Sequence, residues 1–330
     1  MINSPSTFQR NLLAWFRQHG RAQLPWRHTS DPYAILVSEF MLQQTQVATV
    51  IPYFQRWLRR FPDFETLARA SESEVLHAWQ GLGYYARARN LHATAKAVVH
   101  DHRGTFPRDP ATMRTLPGLG RYTANAVATF AFNQAVPIVE ANIGRVLARW
   151  SNMQLPIDSA AGLDRIWGLA TELLPKRNPA HFNTALMDLG ALVCTARQPK
   201  CELCPVRASC AAENPATLPI KKPRAATKLL TERHAFSFDR GRLLLEQSSE
   251  RWRGMWILPR LTSAAKTKTP LYLAEFPFTN HRITLAVYQQ HAAPTAPGSW
   301  FPLDVLASIP LPSPHRRAVT HLIASAARAA

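Results

Sequence analysis

The chain has 330 residues, 46% of them hydrophobic, with 39 Lys and Arg against 21 Asp and Glu and a formal net charge of +18. That length favours two domains with sizeable cores, and the basic excess favours a polyanionic partner, nucleic acid ahead of a membrane surface. No stretch offers the roughly 20 apolar residues of a transmembrane helix. The start, with Phe8, Leu12, Leu13, Trp15 and Phe16 among polar residues, is amphipathic and lacks the unbroken apolar core of a secretion signal. The expectation is a protein of the bacterial cytoplasm or nucleoid whose cysteines stay reduced.

Residues 1–212 read as helix almost throughout. Asp31 and Pro32 make an N-cap followed by proline at the first helical position, predicting a helix over 33–42 that carries Glu39. Residues 43–45 interrupt it, and Thr45 is expected to cap the next helix, 46–61. Further helices are predicted over 64–70, 72–81, 86–102, 111–116, 122–132, 143–150, 161–174 and 180–193. Between two of them lies LPGLGRYTAN at 116–125. Gly118 and Gly120 would give a tight turn its backbone freedom, and the turn's unpaired N–H groups with the positive end of the second helix would seat a phosphate. Residues 213–229, with Pro215, Pro219 and Pro223 among Lys and Arg, read as a linker. Beyond it the pattern alternates, predicting strands over 234–238, 242–247, 271–276 and 283–289 and a last helix over 315–328: an α+β domain at 230–330.

All four cysteines fall in one tract, Cys194-x6-Cys201-x2-Cys204-x5-Cys210. Four thiolates in one short loop suit a [4Fe–4S] cluster or a zinc ion. Only Cys201 and Cys204 have the C-x-x-C spacing of a zinc knuckle, which favours the cluster. The spacing is not that of a ferredoxin electron carrier, and Arg197, Lys200 and Arg207 give the loop positive charge for a phosphate backbone.

The hairpin run, the carboxylate-bearing tract after it and the cysteine spacing together resemble the endonuclease III superfamily of DNA glycosylases, and within it the MutY-type adenine DNA glycosylases. LPWR at 24–27, SEFMLQQTQV at 38–47, GLGYYARARN at 81–90 and MDLGA at 187–191 support the resemblance. It covers 8–212 closely and 230–325 loosely. It implies a mainly α, helix–hairpin–helix glycosylase domain over 1–212 with a [4Fe–4S] loop at 194–210, a linker at 213–229, and a small α+β Nudix-like domain at 230–330. It also implies a monomeric base-excision repair enzyme that binds double-stranded DNA and hydrolyses the N-glycosidic bond of adenine mispaired with 8-oxoguanine or guanine.

The resemblance assigns roles by position. Glu39 protonates the leaving base, and an apolar wall of Trp26, Leu36 and Phe40 would raise its pKa for that task. Trp26, Arg27 and Thr184 fall in the base pocket. Gln43 and Gln44 fill the space the base vacates, Tyr84 intercalates, and Arg87 and Arg89 meet phosphates alongside Gly118 and Gly120 of the hairpin. Tyr122 stands where lyase-active relatives carry a lysine; a phenol forms no Schiff base, so base removal without strand cleavage is expected. Two positions depart from the family pattern. Glu140, in EANIGRVLAR at 140–149, replaces the aspartate that stabilises the sugar cation, with Asn142 orienting it. Thr184 replaces a Gln or Glu at the base. In the C-terminal part, WRGMWILP at 252–259 resembles a Nudix-like segment without the hydrolase carboxylates, and Thr279 and Asn280 align with a lesion-reading loop. The two departures leave open a glycosylase of shifted base specificity or a non-catalytic mismatch-binding protein.

Overall fold

The computed structural model describes residues 5–261, 269–290 and 298–329. In chain order its helices are α1 (Pro5–His19), α2 (Pro32–Leu42), α3 (Val47–Arg60), α4 (Phe64–Arg69), α5 (Glu72–Trp79), α6 (Ala86–Asp101), α7 (Pro110–Met113), α8 (Arg121–Phe132), α9 (Ala141–Trp150), α10 (Ala160–Leu173) and α11 (Pro179–Leu192). Strands β1 (Lys228–Phe236), β2 (Phe238–Asp239), β3 (Arg242–Gln247), β4 (Trp256–Ile257), β5 (Tyr272–Phe278), β6 (His281–Gln289) and β7 (Ser299–Pro302) follow, then α12 (Ser313–Ala329). The chain divides into two compact units, Met1–Glu65 with Ala93–Pro223 and Thr66–His92 with Arg224–Ala330. Among the described residues no helix is long and apolar enough to cross a membrane.

The first unit is built around α2. Asp31 accepts from the N–H groups of Tyr33 (3.0 Å) and Ala34 (3.2 Å), with Pro32 at the first helical position. From Tyr33 to Met41 every residue is buried, so α2 is enclosed on all sides, as a helix that is apolar all round must be. It packs on α3 and α8. The Tyr33 hydroxyl donates to Phe61 O (2.6 Å) and accepts from Trp57 Nε1 (3.1 Å), so burial leaves its polar atom paired. Thr45 does not cap α3. That helix starts from Gln46 without a side-chain cap, and the Thr45 hydroxyl donates back to Gln43 O (3.3 Å), because it sits one residue too early.

A second layer joins α1, α9, α10 and α11 around Phe8, Leu12, Leu147, Phe182 and Leu189. The Phe8 ring meets Trp150 edge-on at 5.2 Å. Each such apolar side chain contributes about 1.5–3 kcal/mol when fully buried. The hairpin of α7 and α8 adjoins both layers, its second helix touching α2 and α11. Gly118 has φ +77, the left-handed conformation expected of its turn. Gly120 corrects its expectation: it is the N-cap of α8 with φ −81, open to any residue. A Cβ there would meet nothing within 4 Å, so its glycine leaves room in front of the helix N-terminus.

The second unit holds two sheets, β1-β6-β5 and β2-β3-β4 with β7 beside β3. β1 runs parallel to β6, from Lys228 opposite His281 to Phe236 opposite Gln289. It therefore begins inside the stretch expected to be a linker. Its first four residues are exposed, so main-chain pairing rather than an apolar pattern defines them. β5 and β6 form a hairpin closed by Thr279 and Asn280. The segment 66–92 is tied in by Gln80 Oε1, which accepts from Leu311 N (3.2 Å) and Arg316 Nη2 (2.9 Å), and by Arg89, which donates to Arg253 O (2.9 Å) rather than standing free for phosphate.

Candidate active site

Glu39 sits on the last turns of α2 and is 5% exposed. Its Oε2 accepts from the Tyr122 hydroxyl on α8 at 2.7 Å. Burial pushes its pKa up to about 7; the Tyr122 bond opposes that and the charge of Glu140 adds to it. Tyr122, also raised by burial, stays a neutral phenol.

Glu140 occupies the N-cap of α9. Its Oε1 accepts from Ile143 N (2.9 Å), and its Oε2 from Asn142 N (2.7 Å) and Asn142 Nδ2 (3.1 Å). Burial raises its pKa as well, but these donors and Arg145 oppose the rise. The longer glutamate thus keeps the contacts of an N-capping carboxylate, from an extended residue with φ −121 and ψ −177. Asn142 orients it as expected, and is itself held: its Oδ1 accepts from Arg145 Nη2 (2.8 Å), while Arg145 also donates to Gly190 O (2.6 Å) and Cys194 O (2.8 Å). Gly190 is required by this approach of α11, since a Cβ there would lie 2.7 Å from the Asn142 Cβ.

Beside Glu39 opens a cavity of about 360 Å³ lined by Trp26, Phe130, His181, Thr184 and Met187, among others. That volume suits a small aromatic ligand. Trp26 packs edge-on against Phe54 at 5.6 Å. Arg27 lines the cavity, but its guanidinium is committed elsewhere: Nη1 donates to Asp188 Oδ2 (2.8 Å) and Nη2 to Asp188 Oδ1 (2.6 Å). Arg21 adds bonds of 2.7 and 2.9 Å to the same carboxylate. Burial alone would raise the Asp188 pKa; the hydrogen bonds from Arg27 and Arg21 outweigh it and hold the carboxyl below its usual range. The Thr184 hydroxyl donates to Ala180 O at 2.8 Å and so presents no donor to the cavity. Reading the sequence alone missed the Arg21–Asp188–Arg27 triad and the two cavity histidines, His28 and His181. The MDLGA run was the only signal for the first, and nothing in pattern marked the second.

Three of the residues expected at the DNA, Gln44, Tyr84 and Thr279, share a left-handed backbone. Gln44 has φ +56 and Tyr84 has φ +48, and both are exposed, Tyr84 by 46%. Left-handed non-glycine residues cost on the order of 1–3 kcal/mol and are retained where geometry demands them. Gln43 ends α2 as its C-cap. Arg87 corrects its expectation. It is buried, stacks on Trp79 (5.3 Å) and Tyr84 (5.6 Å), and donates from Nη2 to Leu82 O (3.0 Å) and Gly83 O (3.1 Å). It holds the loop that displays Tyr84 instead of meeting phosphate. Thr279 and Asn280 are exposed at the β5–β6 turn, with Thr279 at φ +52 and its hydroxyl donating to Asn280 Oδ1 (3.4 Å).

The four cysteines line one cavity together with Arg149, Lys200 and Arg207. Arg149 is buried and ties the loop down, donating to Thr195 O (2.7 Å), Ala196 O (3.0 Å), Leu218 O (3.0 Å) and Cys194 Sγ (3.4 Å). Burial pushes the Cys204 thiol up to about 11, and the other three thiols add to it. Four soft thiols around one cavity fit a polynuclear iron–sulfur cluster.

Comparison with known proteins agrees. Residues 37–163 match the model for the HhH-GPD superfamily of base excision DNA repair proteins, and residues 194–210 match the iron–sulfur binding domain of endonuclease III. The cofactor is a [4Fe–4S] cluster held by Cys194, Cys201, Cys204 and Cys210. The chain is 44% identical over 216 residues to a Homo sapiens protein named adenine DNA glycosylase, covering 63% of this chain and 39% of that one. It therefore spans about two fifths of that relative's length. A protein of the same name from Buchnera aphidicola subsp. Schizaphis graminum is 33% identical over 268 residues, 79% of this chain and 76% of the relative. The solved structure of a thermostable thymine-DNA glycosylase aligns with a TM-score of 0.58 and 32% identity over 63% of this chain and 95% of that one. The chain belongs to the helix–hairpin–helix superfamily of base excision DNA repair proteins, in its MutY-type branch.

Proposed function

We propose that this protein is a monofunctional DNA glycosylase that removes adenine mispaired with 8-oxoguanine or guanine from double-stranded DNA, acting as a monomer. The observation that carries this reading is a carboxyl with a pKa of about 7, Glu39, on a cavity of purine size, with a helix-capping carboxylate, Glu140, near enough for its charge to act on Glu39. The basic surface and the N-terminus of α8 would hold the duplex backbone, and the target nucleotide would swing out into the cavity. Protonated Glu39 then donates to a ring nitrogen of the base. The glycosidic bond breaks with its electron pair leaving on the purine. Ionised Glu140 stabilises the cationic sugar, water adds to C1′, and its proton passes to a carboxylate. Tyr122 holds Glu39 in place and offers no amine, so the product is an intact abasic strand. Gln43, Gln44 and Tyr84 occupy the duplex during extrusion, and Thr279 and Asn280 in a Nudix-like unit read the partner base. The iron–sulfur cluster supplies a fixed crosslink of the cysteine loop, which presents Arg197, Lys200 and Arg207 to phosphates.

The test uses labelled duplexes with adenine opposite 8-oxoguanine, guanine, cytosine or thymine, incubated with excess holoprotein and split for alkali treatment. Strand breaks at adenine opposite 8-oxoguanine that need alkali are the expected result. Breaks without alkali would overturn the monofunctional assignment, and intact duplexes throughout would overturn the function. A second reading, shifted base specificity, is favoured by the tied-up Thr184 hydroxyl and by the likeness to a thymine-DNA glycosylase. A T·G duplex in the same series decides it.

A further inference from the structure

Apart from Glu39, the polar side chains lining the cavity are Arg27, His28, Thr29, Ser38, His181 and Thr184. Three of the six donate to acceptors inside the protein. Arg27 is committed to Asp188 and to Arg21 O (2.9 Å), Ser38 donates to Ile35 O (2.7 Å), and Thr184 donates to Ala180 O (2.8 Å). Thr29 Oγ1 accepts from Asp31 N at 3.0 Å. Only the His28 and His181 side chains make no hydrogen bond or ion pair among the described residues. His181 and Thr184 stand three residues apart on α11 and share one face of it.

A neutral imidazole offers one donor and one acceptor on the same ring. The edge of a purine presents the complementary pair, a ring-nitrogen acceptor beside an exocyclic group. We infer that His181, together with His28, reads the hydrogen-bonding edge of the extruded purine and sets which base the cavity accepts. This inference rests on the glycosylase reading above. Unlike the donors of Arg27, Ser38 and Thr184, which go to protein acceptors, the ring nitrogens of both imidazoles are unpaired among the described residues, and a base that covered them without pairing them would be disfavoured. His181 is in this sense a specificity-determining residue, and Glu39 and Glu140 remain the catalytic pair.

The experiment compares wild-type holoprotein with His181→Ala, His181→Gln, His28→Ala and the double alanine variant. Each is matched for cluster absorbance and for affinity to a duplex carrying an abasic analogue. Single-turnover release is measured for adenine, hypoxanthine and unsubstituted purine opposite guanine. The expected result is a wild-type preference for adenine over purine that falls about tenfold in His181→Ala, the size of one lost hydrogen bond. It falls further in the double variant and recovers in His181→Gln, which keeps a donor and an acceptor. A double variant with the wild-type ratio, or a wild type with no preference, overturns the inference. Affinity for duplexes bearing the same bases on non-cleavable 2′-fluoro sugars separates the two readings. Base discrimination in binding that the histidine variants lose, without turnover by wild type, sinks the proposed function and supports the inference. Equal binding of all bases sinks the inference alone.

Discussion

The two carboxylates of the site differ by one side-chain environment and, through it, in chemistry. Glu39 lies within a helix, away from the free N–H groups of its first turn, so among the described residues the Tyr122 phenol is the one donor that reaches it, and burial pushes its pKa up to about 7. Glu140 lies at a helix start, where two backbone N–H groups and Asn142 Nδ2 converge on it and oppose the effect of burial. Burial thus raises the pKa of both carboxyls, but at Glu140 the converging donors and Arg145 oppose the rise, while at Glu39 a single phenol does. Position along a helix decides which carboxyl can be the acid and which the anion.

The largest effect expected is from Glu39→Gln, which keeps the shape and removes the proton donor. Single-turnover excision should fall about 10³-fold, within the range of general acid catalysis. Stability should move the other way. The folded-state pKa of Glu39 is raised from 4.5 to about 7, so the folded protein binds this proton more tightly than the unfolded chain. The cost of burying the charge is absent below pH 4.5, grows between pH 4.5 and 7, and is complete above 7. The variant should be more stable than wild type at pH 8 by up to about 3 kcal/mol and equal to it at pH 4, as read by denaturant melts. An unchanged difference across that window would assign Glu39 no such burden. Glu140→Gln comes next, with a loss of about 10²–10³ in excision from removing the anion opposite the sugar cation. Glu140→Asp should stay active, because the shorter carboxylate can still cap α9; a variant faster than wild type would show that the extra methylene is a handicap.

Tyr122→Phe removes the bond that lowers the Glu39 pKa, so the alkaline limb of the pH–rate profile, expected near 7, should shift to higher pH. The rate below the limb should change by less than about tenfold, since the acid itself remains. A limb that stays in place would assign it to another group.

How much of this was legible beforehand follows from what each feature depends on. The Asp31–Pro32 cap, the hairpin and the cysteine tract are local, and the structure holds them where the sequence placed them. Glu39 could be singled out through the resemblance carried by the run at 38–47, with the apolar Leu36 and Phe40 beside it agreeing. The commitments of Arg27, Arg87 and Thr184 could not, because each is fixed by a partner's geometry: Asp188 is 161 residues away from Arg27, and Arg87 and Thr184 turn back on nearby carbonyls that no pattern announces. The same holds for β1, whose first residues are defined by pairing with β6 and not by their side chains.

The finest test of the carboxylate comparison is Asn142→Ala. It removes one of three donors to Glu140 and leaves both backbone donors in place. It also frees Arg145 from one acceptor while leaving those at Gly190 and Cys194. Because the Asn142 side chain helps hold the Glu140 pKa down, its loss should raise that pKa, and the acid limb of the pH–rate profile should move to higher pH. The alkaline limb, which belongs to Glu39, should not move. At the optimum the rate should drop only about threefold to tenfold, the worth of a single hydrogen bond to a charged group partly replaced by water. Together with Tyr122→Phe, this assigns each limb to its own carboxylate. Movement of both limbs in either variant would mean that the two groups titrate as one coupled pair, and the division between acid and anion drawn from their helix positions would have to be given up.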